Sequence, residues 1–407
     1  MPAAAGSRAE RVPLLHTQAG IARVQAALAE RDLDGWLLFE FRGQNWISAA
    51  LLGVGDTTRR AWVLIPRTGE PRALVHAIEG SAWRAWPFAV ERYSGWREME
   101  ERLGLLVAGR KRLALEFSAR SAVPTVDTIP AGALELVRAL GVEPVSSADL
   151  VSTFHSVWSQ EQLVDHRRAA EVVAEVGRAA LREAADRIRR GSPTTEGALS
   201  RWILDRLRAG GVGVEADTHV AVGAGAADPH YSPVGEGAVI QEGQVLLVDL
   251  WGRTSTEAVH ADQTWMGFLG GSLPDRVGEV WRAVRDARDA AVALLRARHR
   301  DQAPVRGFEV DDRARAVIAE RGFGPWFVHR TGHSIDTRLH GSGPNLDNLE
   351  TRDDRLLVPG VGFSVEPGVY LPGEFGVRSE INVHWGERGP EVTPREPQDE
   401  IPLLLDG

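Results

Sequence analysis

The sequence predicts an α+β protein with two domains, an N-terminal α/β domain over residues 1–157 and a larger C-terminal domain over residues 158–407. Three observations support this prediction. The length of 407 residues exceeds that of one average domain. Strand and helix patterns alternate in the first part of the chain, as in an α/β domain. After the boundary, long helical patterns are separated by groups of short apolar strands, which favours helices packed on a sheet.

The N-terminal domain is predicted to start with a helix. Apolar residues recur at helical spacing between Thr17 and Arg31. The apolar patterns that follow predict strands at Gly35–Phe41, Ala61–Pro66, Arg72–Ile78 and Lys111–Phe117, and helices at Gly95–Ala108 and Gly132–Leu140.

The C-terminal domain is predicted to start with a long capped helix. Ser159 and Gln162 have the spacing of a capping box, in which each side chain binds a free backbone N–H of the first turn. That helix is expected to reach about Arg190, and Gly210 and Gly211 favour the end of the next helix. Further helices are predicted at about Thr194–Gly210, Asp275–Arg298 and Glu309–Arg321.

Composition excludes several functions. The net charge of −9 argues against a nucleic-acid partner, because such binding depends on clustered cations. The absence of cysteine excludes disulfides, thiolate ligands and a thiol nucleophile. The segment Met1–Arg11 lacks the apolar core of a signal peptide, and no apolar run is long enough to span a membrane, so a cytoplasmic protein without a membrane partner is expected.

Three histidines lie close together late in the chain. His329 and His333 are four residues apart, a spacing that puts two side chains on one face of a helix or of a strand, and His340 follows seven residues later. Such a pair alone is usually ordinary polar surface. The surrounding sequence changes that interpretation, because carboxylates interrupt or end several runs that otherwise have the character of buried strands.

These carboxylates are Asp249, Asp262, Glu366 and Glu380. An isolated buried carboxylate is costly to keep ionised, so four of them together require cations. Two divalent ions would balance the four negative charges, and a site of carboxylates with one imidazole suits a hard metal such as manganese.

The order Asp, Asp, His, Glu, Glu resembles the signature of the pita-bread metallopeptidases, the family of prolidase, aminopeptidase P, methionine aminopeptidase and the metal-free creatinase. The matching residues are Asp249, Asp262, His333, Glu366 in Val-Glu-Pro-Gly, and Glu380 in Gly-Val-Arg-Ser-Glu. The resemblance implies a C-terminal pita-bread domain and an N-terminal creatinase-like α/β domain. The chain departs from the usual Asp-x-Thr-Arg-Thr, because Trp265 stands where the family has an arginine.

The resemblance also implies a metal centre and roles for its neighbours. Asp262 and Glu380 would bridge two divalent ions, most readily Mn²⁺, with Zn²⁺ or Co²⁺ as alternatives. Asp249 would bind one ion, and His333 and Glu366 the other. A water shared by the ions would become hydroxide near neutral pH, since bound cations can lower its pKa to about 7. The implied catalytic residues are Glu366 as proton carrier, His340 and His329 as hydrogen-bond donors, and His230 beside the substrate.

The function that the resemblance implies is an Xaa-Pro dipeptidase, with small proline-containing peptides as partners and a homodimer as the expected assembly. Aminopeptidase P, which accepts longer peptides, is the alternative enzyme, and a family member that binds without catalysis is the non-enzyme alternative. A dipeptidase must bind a terminal carboxylate, for which arginine is the best-shaped side chain. Arg352 is the leading candidate for that contact, Arg378 is a second substrate-binding candidate, and Arg338 and Arg355 are rivals.

Overall fold

The computed structural model describes residues 12–55, 57–214 and 218–405. The segment Met1–Arg11, which the targeting prediction used, lies outside the described residues. The chain divides after His155 into two compact units, whereas the sequence placed the boundary after Val157. Among the described residues, no helix combines the length and apolar character needed to cross a membrane.

The first unit has a six-stranded sheet between two layers of helices. Its elements are α1 (Gln18–Glu30), β1 (Gly35–Glu40), α2 (Trp46–Leu52), β2 (Ala61–Pro66), β3 (Arg72–His76), β4 (Ala89–Tyr93), α3 (Trp96–Val107), β5 (Arg112–Leu115), α4 (Ala131–Ala139), β6 (Glu143–Ser146) and α5 (Ala148–Phe154). The strand order is β4-β3-β2-β1-β5-β6. Strands β1, β2 and β3 form consecutive antiparallel pairs. The other pairs are parallel: β4 joins β3, β5 joins β1, and β6 joins β5.

Alternation of apolar side chains explains why both faces of this sheet are covered. Trp36 and Leu38 of β1 face the core formed with α1, α2 and α5, whereas Leu37 and Phe39 face the core formed with α3 and α4. The segment around Asn45 is a packed helix start, because Asn45 caps α2 by accepting from the Ser48 amide at 3.1 Å.

The second unit holds four long helices and three small sheets among the described residues. Its elements are α6 (Gln160–Arg189), α7 (Glu196–Ala209), β7 (His219–Val222), β8 (Val245–Gly252), β9 (Ala261–Phe268), α8 (Asp275–Arg300), α9 (Gly307–Glu320), β10 (Ser334–Ile335), β11 (Val361–Val365), β12 (Gly368–Leu371), β13 (Phe375–Arg378), β14 (Ile381–Gly386) and β15 (Gly389–Thr393). The sheets are β7-β8-β9, β12-β13 and β10-β11-β14-β15, and each of these pairs is antiparallel.

The helices predicted for this unit are confirmed within a few residues. The capping box of Ser159 and Gln162 is present at the start of α6. Helices α6 and α7 pack on one face of β8 and β9 through Leu246, Val248 and Leu250. The opposite face of these strands adjoins β13 and β14, so acidic residues on that face point into the middle of the unit.

Trp158 fixes β11 beside the histidine segment. Its indole N–H donates to the Ile335 carbonyl at 2.7 Å, and its ring lies directly against Gly362. A Cβ atom on Gly362 would lie 1.8 Å from the Trp158 ring. A side chain at this position of β11 therefore has no room.

We expect Gly362→Ala to lower the free energy of unfolding by about 1–3 kcal/mol or more, the usual cost of overpacking a core. Urea denaturation followed by fluorescence measures this change. Gly278→Ala in α8 is the matched control, because the nearest atom to its Cβ is the end of the flexible Arg282 side chain at 3.3 Å. Equal stability of the two variants would contradict the packing described here.

Candidate metal centre

Two adjacent strands carry the aspartates of the site. Asp249 of β8 pairs with Thr264 of β9, and Asp262 pairs with Trp251. Residues two apart share a face of a strand, so Asp249, Asp262 and Thr264 all lie on the face that points away from α6 and α7. Asn382 of β14 holds Asp262 by bonding its backbone N–H at 2.9 Å and its carbonyl at 2.7 Å. The backbone of both strands thus sets the positions of these carboxylates.

Trp265, at the position where the resembling family has an arginine, lies on the other face of β9. Its ring packs against Gly177 of α6 and lies 5.0 Å below the Arg178 guanidinium. This departure from the family pattern therefore changes the contact with α6 and leaves the acidic face of β9 unaltered.

The remaining predicted ligands come from the neighbouring sheet and its ends. His333 directly precedes β10, and its backbone N–H donates to the Ser364 hydroxyl of β11 at 3.0 Å. Glu366 directly follows β11, and its backbone N–H donates to the Thr331 carbonyl at 2.7 Å. Glu380 lies between β13 and β14. These three side chains therefore project from well-bonded backbone.

The five predicted ligands are brought together. His333 Nε2 lies 3.4 Å from Asp262 Oδ2 and 3.5 Å from Glu366 Oε1. Asp262, His333 and Glu380 each offer a ligand atom, and these atoms lie within 4.8 Å of one another. The remaining predicted ligand, Asp249, lines the same cavity of about 290 Å³.

The donor set fits a divalent cation. Nδ1 of His333 donates to the Ser334 carbonyl at 3.1 Å, so Nε2, the ring nitrogen that faces the carboxylates, is the atom that would bind a cation once it loses its proton. Oδ1 of Asp262 is buried and has no hydrogen-bond partner. A buried carboxylate oxygen without a partner is costly, and a cation would satisfy it.

Charge repulsion within the cluster appears in the pKa values of its acids. Burial and the neighbouring Asp262 and Glu366 raise the pKa of Glu380 well above its ordinary value. Burial raises the pKa of Asp262 to about 6, although His333 opposes that rise. The protein groups alone therefore do not neutralise the cluster, and positive charge from a metal would.

Arg378 supplies part of the missing positive charge. Burial alone would raise the pKa of Asp249, but the Arg378 guanidinium, 2.5 Å away, holds it below its ordinary value. Arg378 Nε donates to Thr264 Oγ1 at 2.7 Å, and this hydroxyl donates to Glu380 Oε2 at 2.7 Å. Arg378, predicted to bind substrate, thus lies in the cavity wall and orients two of the carboxylates.

The three additional histidines predicted from the sequence all line the cavity. Nδ1 of His329 donates to the Arg330 carbonyl at 2.7 Å, so its Nε2 accepts from the Tyr370 hydroxyl at 2.8 Å. Repulsion from His333, with burial, lowers the pKa of His340 to about 3, and its ring centroid lies 4.3 Å from that of His333. His340 is therefore a neutral imidazole at ordinary pH.

His230 reaches the cavity from the segment after β7. Buried Glu196 at the start of α7 holds this segment, since it accepts from the Tyr231 hydroxyl at 2.8 Å, the Ala238 amide at 2.8 Å and the Val222 amide at 3.0 Å. Glu196 lies far from His230 in sequence, so no local sequence pattern shows that Glu196 supports the segment that carries His230.

The arginine predicted to bind a carboxylate lies elsewhere. The Arg352 guanidinium is 5.0 Å above the Phe308 ring, and Arg352 is absent from the cavity lining. Its rival Arg355 is buried in a 2.6 Å ion pair with Asp353. The other rival, Arg338, lines a neighbouring depression beside Leu339. Arg378 is thus the sequence-selected arginine that the structure places at this cavity.

Six residues of the cavity wall were not among the candidates from the sequence: Pro229, Leu339, His219, Trp251, Arg330 and Glu350. His219 Nδ1 lies 3.4 Å from Asp249 Oδ2, and its ring meets that of Trp251 edge to face. Two of them had a detectable signal. Trp251 lies two residues after Asp249 on one strand face, and Arg330 directly follows His329.

We expect Thr264→Val to weaken binding of a divalent metal about 10- to 100-fold, the usual loss when a group that orients a ligand is removed. The substitution keeps the shape of the side chain but deletes the hydroxyl between Arg378 and Glu380. Competition with a chelating dye measures the affinity.

Thr256→Val, in the exposed connection between β8 and β9, is the matched control and should leave metal affinity unchanged. An unaltered affinity in Thr264→Val, with the fold intact, would show that this hydroxyl does not support the centre.

Comparison with known proteins agrees with this site. The sequence profile of metallopeptidase family M24 matches residues 165–387, which include all five predicted ligands. A probable dipeptidase PepE of Mycobacterium tuberculosis is 27% identical over 326 residues, 78% of this chain and 79% of that protein. An Xaa-Pro dipeptidase of Lactobacillus delbrueckii is 28% identical over 238 residues, 57% of this chain and 58% of that protein. The crystal structure of dipeptidase PepE from Mycobacterium ulcerans is 25% identical and superposes with a TM-score of 0.73 over 94% of this chain and 96% of that one.

Proposed function

The chain belongs to metallopeptidase family M24 and has the pita-bread fold, and from this premise we propose that it is an Xaa-Pro dipeptidase that uses two divalent metal ions. The observation that carries the proposal is the convergence of Asp262, His333 and Glu380 in one buried cluster beside the neutral His340. The substrate class is supported by the similarity to proteins named dipeptidase and Xaa-Pro dipeptidase.

The cavity suits a small peptide. Its volume of about 290 Å³ lies at the lower end of the range of about 300–1,000 Å³ that is usual for small-molecule sites. Small proline-containing peptides are therefore the proposed partners. A homodimer and a cytoplasmic location stay predictions.

The proposed ligands are the five residues that the sequence identified: Asp249, Asp262, His333, Glu366 and Glu380. Two cations would balance the four carboxylates, and oxygen-rich donor sets favour Mn²⁺. When bound, the metal supplies Lewis acidity and a water of lowered pKa.

The chain's own groups handle the proton and the developing charge. Burial would raise the pKa of Glu366, but the nearby His333 and His329 outweigh it and hold the pKa below its ordinary value. Glu366 is thus ionised and can accept a proton from the attacking water, then pass it to the leaving amine. The Ser364 hydroxyl, which donates to Glu366 Oε1 at 3.0 Å, holds this carboxylate in place.

The histidines of the cavity wall serve the substrate. His340, as a neutral imidazole, can donate a hydrogen bond to the carbonyl oxygen of the scissile bond while negative charge develops on that oxygen. His329 is held by the Arg330 carbonyl and by Tyr370. His329 therefore forms a rigid wall that can approach the scissile bond, and His230 borders the same space from the β7 side.

The test is release of proline from Ala-Pro compared with cleavage of Ala-Pro-Ala, each with added Mn²⁺, Zn²⁺ or Co²⁺. We expect higher kcat/KM for the dipeptide and about two metal ions per chain by elemental analysis of the active protein. Preference for the tripeptide would instead support aminopeptidase P. Full activity at one ion per chain would contradict the two-ion proposal.

We expect His340→Ala to lower kcat by about 10²-fold or more, the usual effect of losing a hydrogen-bond donor to the transition state. The metal content should be unchanged, because His340 is not among the proposed ligands. Steady-state kinetics with elemental analysis measures both quantities. Loss of metal in this variant would make His340 a ligand, and unchanged kcat would remove it from the mechanism.

A further inference from the structure

We propose that Arg330 binds the terminal carboxylate of a peptide in the cavity and thereby selects short substrates. This role of Arg330 rests on the proposed function, because it requires that a peptide enters the cavity. Its basis is the arrangement of charged side chains around the cavity, where Arg330 has a position that no other described arginine shares.

Two arginines line the cavity, Arg330 and Arg378, among the residues that the structure describes. The charge of Arg378 is engaged, since its guanidinium lies 2.5 Å from Asp249 Oδ2 and donates to Thr264 Oγ1. Arg330 has one acidic partner, Glu350, and its Nη1 lies 3.9 Å from Glu350 Oε2. This separation exceeds a hydrogen bond, so the guanidinium N–H groups can still bind a carboxylate.

The backbone of Arg330 is fixed although its side chain is half-buried. Its N–H donates to Glu350 Oε1 at 3.0 Å, and its carbonyl accepts from His329 Nδ1 at 2.7 Å. The next residue, Thr331, donates its N–H and its hydroxyl to buried Asp311 at 2.9 Å and 2.6 Å. The backbone of Arg330 is therefore held rigidly beside His329, and a specific binding contact needs such support.

The loop that carries Glu350 is equally well ordered. Asp347 accepts from the amides of Leu349, Glu350 and Thr351 at 2.9–3.0 Å, and it is fully buried. The Asn348 amide donates to Asp311, so the same aspartate binds both this loop and the Arg330 segment. The buried Asp311 and Asp347 thus fix the positions of Arg330 and Glu350 relative to each other.

Arg330 and His340 line the same cavity. A carboxylate bound to Arg330 would therefore share this space with the donor His340, at the opposite end of the peptide from its free amine. Arginine's planar fork can bind both oxygens of a terminal carboxylate.

The limit on peptide length follows from the negative charge of the terminal carboxylate. A dipeptide brings its carboxylate one residue beyond the scissile bond, whereas a tripeptide has a neutral amide there. The tripeptide would leave Arg330 without a new partner and would gain no charge-assisted hydrogen bond.

Arg330→Gln should raise KM for Ala-Pro about ten- to a hundredfold and leave KM for Ala-Pro amide nearly unchanged. The loss of a hydrogen bond between charged groups weakens binding by about this factor. Arg330→Lys should recover part of the loss. Arg352→Gln is the matched control, because this arginine lies over Phe308 and outside the cavity, and it should behave as the unmodified protein on both substrates.

Glu350→Gln tests the same interaction with the opposite sign. Gln keeps an oxygen to accept from the Arg330 amide, but it removes the charge that competes for the guanidinium. KM for Ala-Pro should fall, by up to about fivefold. A similar rise of KM for Ala-Pro and its amide in Arg330→Gln would overturn the proposal, as would a larger effect of Arg352→Gln.

If the unmodified protein does not hydrolyse Ala-Pro, the proposed function is contradicted and the same comparison is made by calorimetry, because the peptide is then a stable ligand. Tighter binding of Ala-Pro than of its amide, lost in Arg330→Gln and kept in Arg352→Gln, supports the carboxylate contact independently. Equal binding of the two peptides, or no binding of either, overturns it.

Discussion

Burial of four carboxylates in one cavity is the constraint on which the second unit depends. Charges of the same sign repel strongly at low dielectric, and removing each from water is expensive. The raised pKa of Glu380 and the value of about 6 for Asp262 express this repulsion. Arg378 compensates it in part by its contact with Asp249. With all four carboxylates ionised, the arrangement calls for further positive charge, which a divalent metal would provide.

The strands around the four acidic residues hold the carboxylates close together in spite of this repulsion. Carboxylates repel one another and would separate if their backbones could move. Two of them lie on paired strands, and the other two lie directly next to strand ends. The β8–β9 pairing places Asp249 and Asp262 on one face, and α6 and α7 cover the other face with apolar contacts. Asn382 joins β9 to β14 through the backbone of Asp262. Strands thus provide the positional accuracy that metal ligation needs.

The rim of the cavity is built differently, from irregular segments around His230, Arg330 and Glu350. Irregular backbone has amide groups without partners in a regular ladder, and buried acids bind them here. Asp311 and Asp347 serve this purpose beside Arg330, and Glu196 does so behind His230. The candidate ligands thus lie on or beside strands, whereas much of the surrounding cavity wall lies on loops that buried acids hold in place.

The sequence by itself determined the long helices, four strands of the first unit and the five candidate ligands, because helical periodicity, caps and ordered acids on apolar runs are local signals. It missed the strands Ala89–Tyr93 and Glu143–Ser146, whose polar residues lie at the two edges of the sheet. Only the tertiary structure decided which arginine reaches the cavity. Arg352 and Arg330 are both near the ligands in sequence, but the first lies over the Phe308 ring and the second lies beside Glu350 in the cavity wall. Side-chain direction in a loop depends on contacts between distant segments, which no local pattern contains.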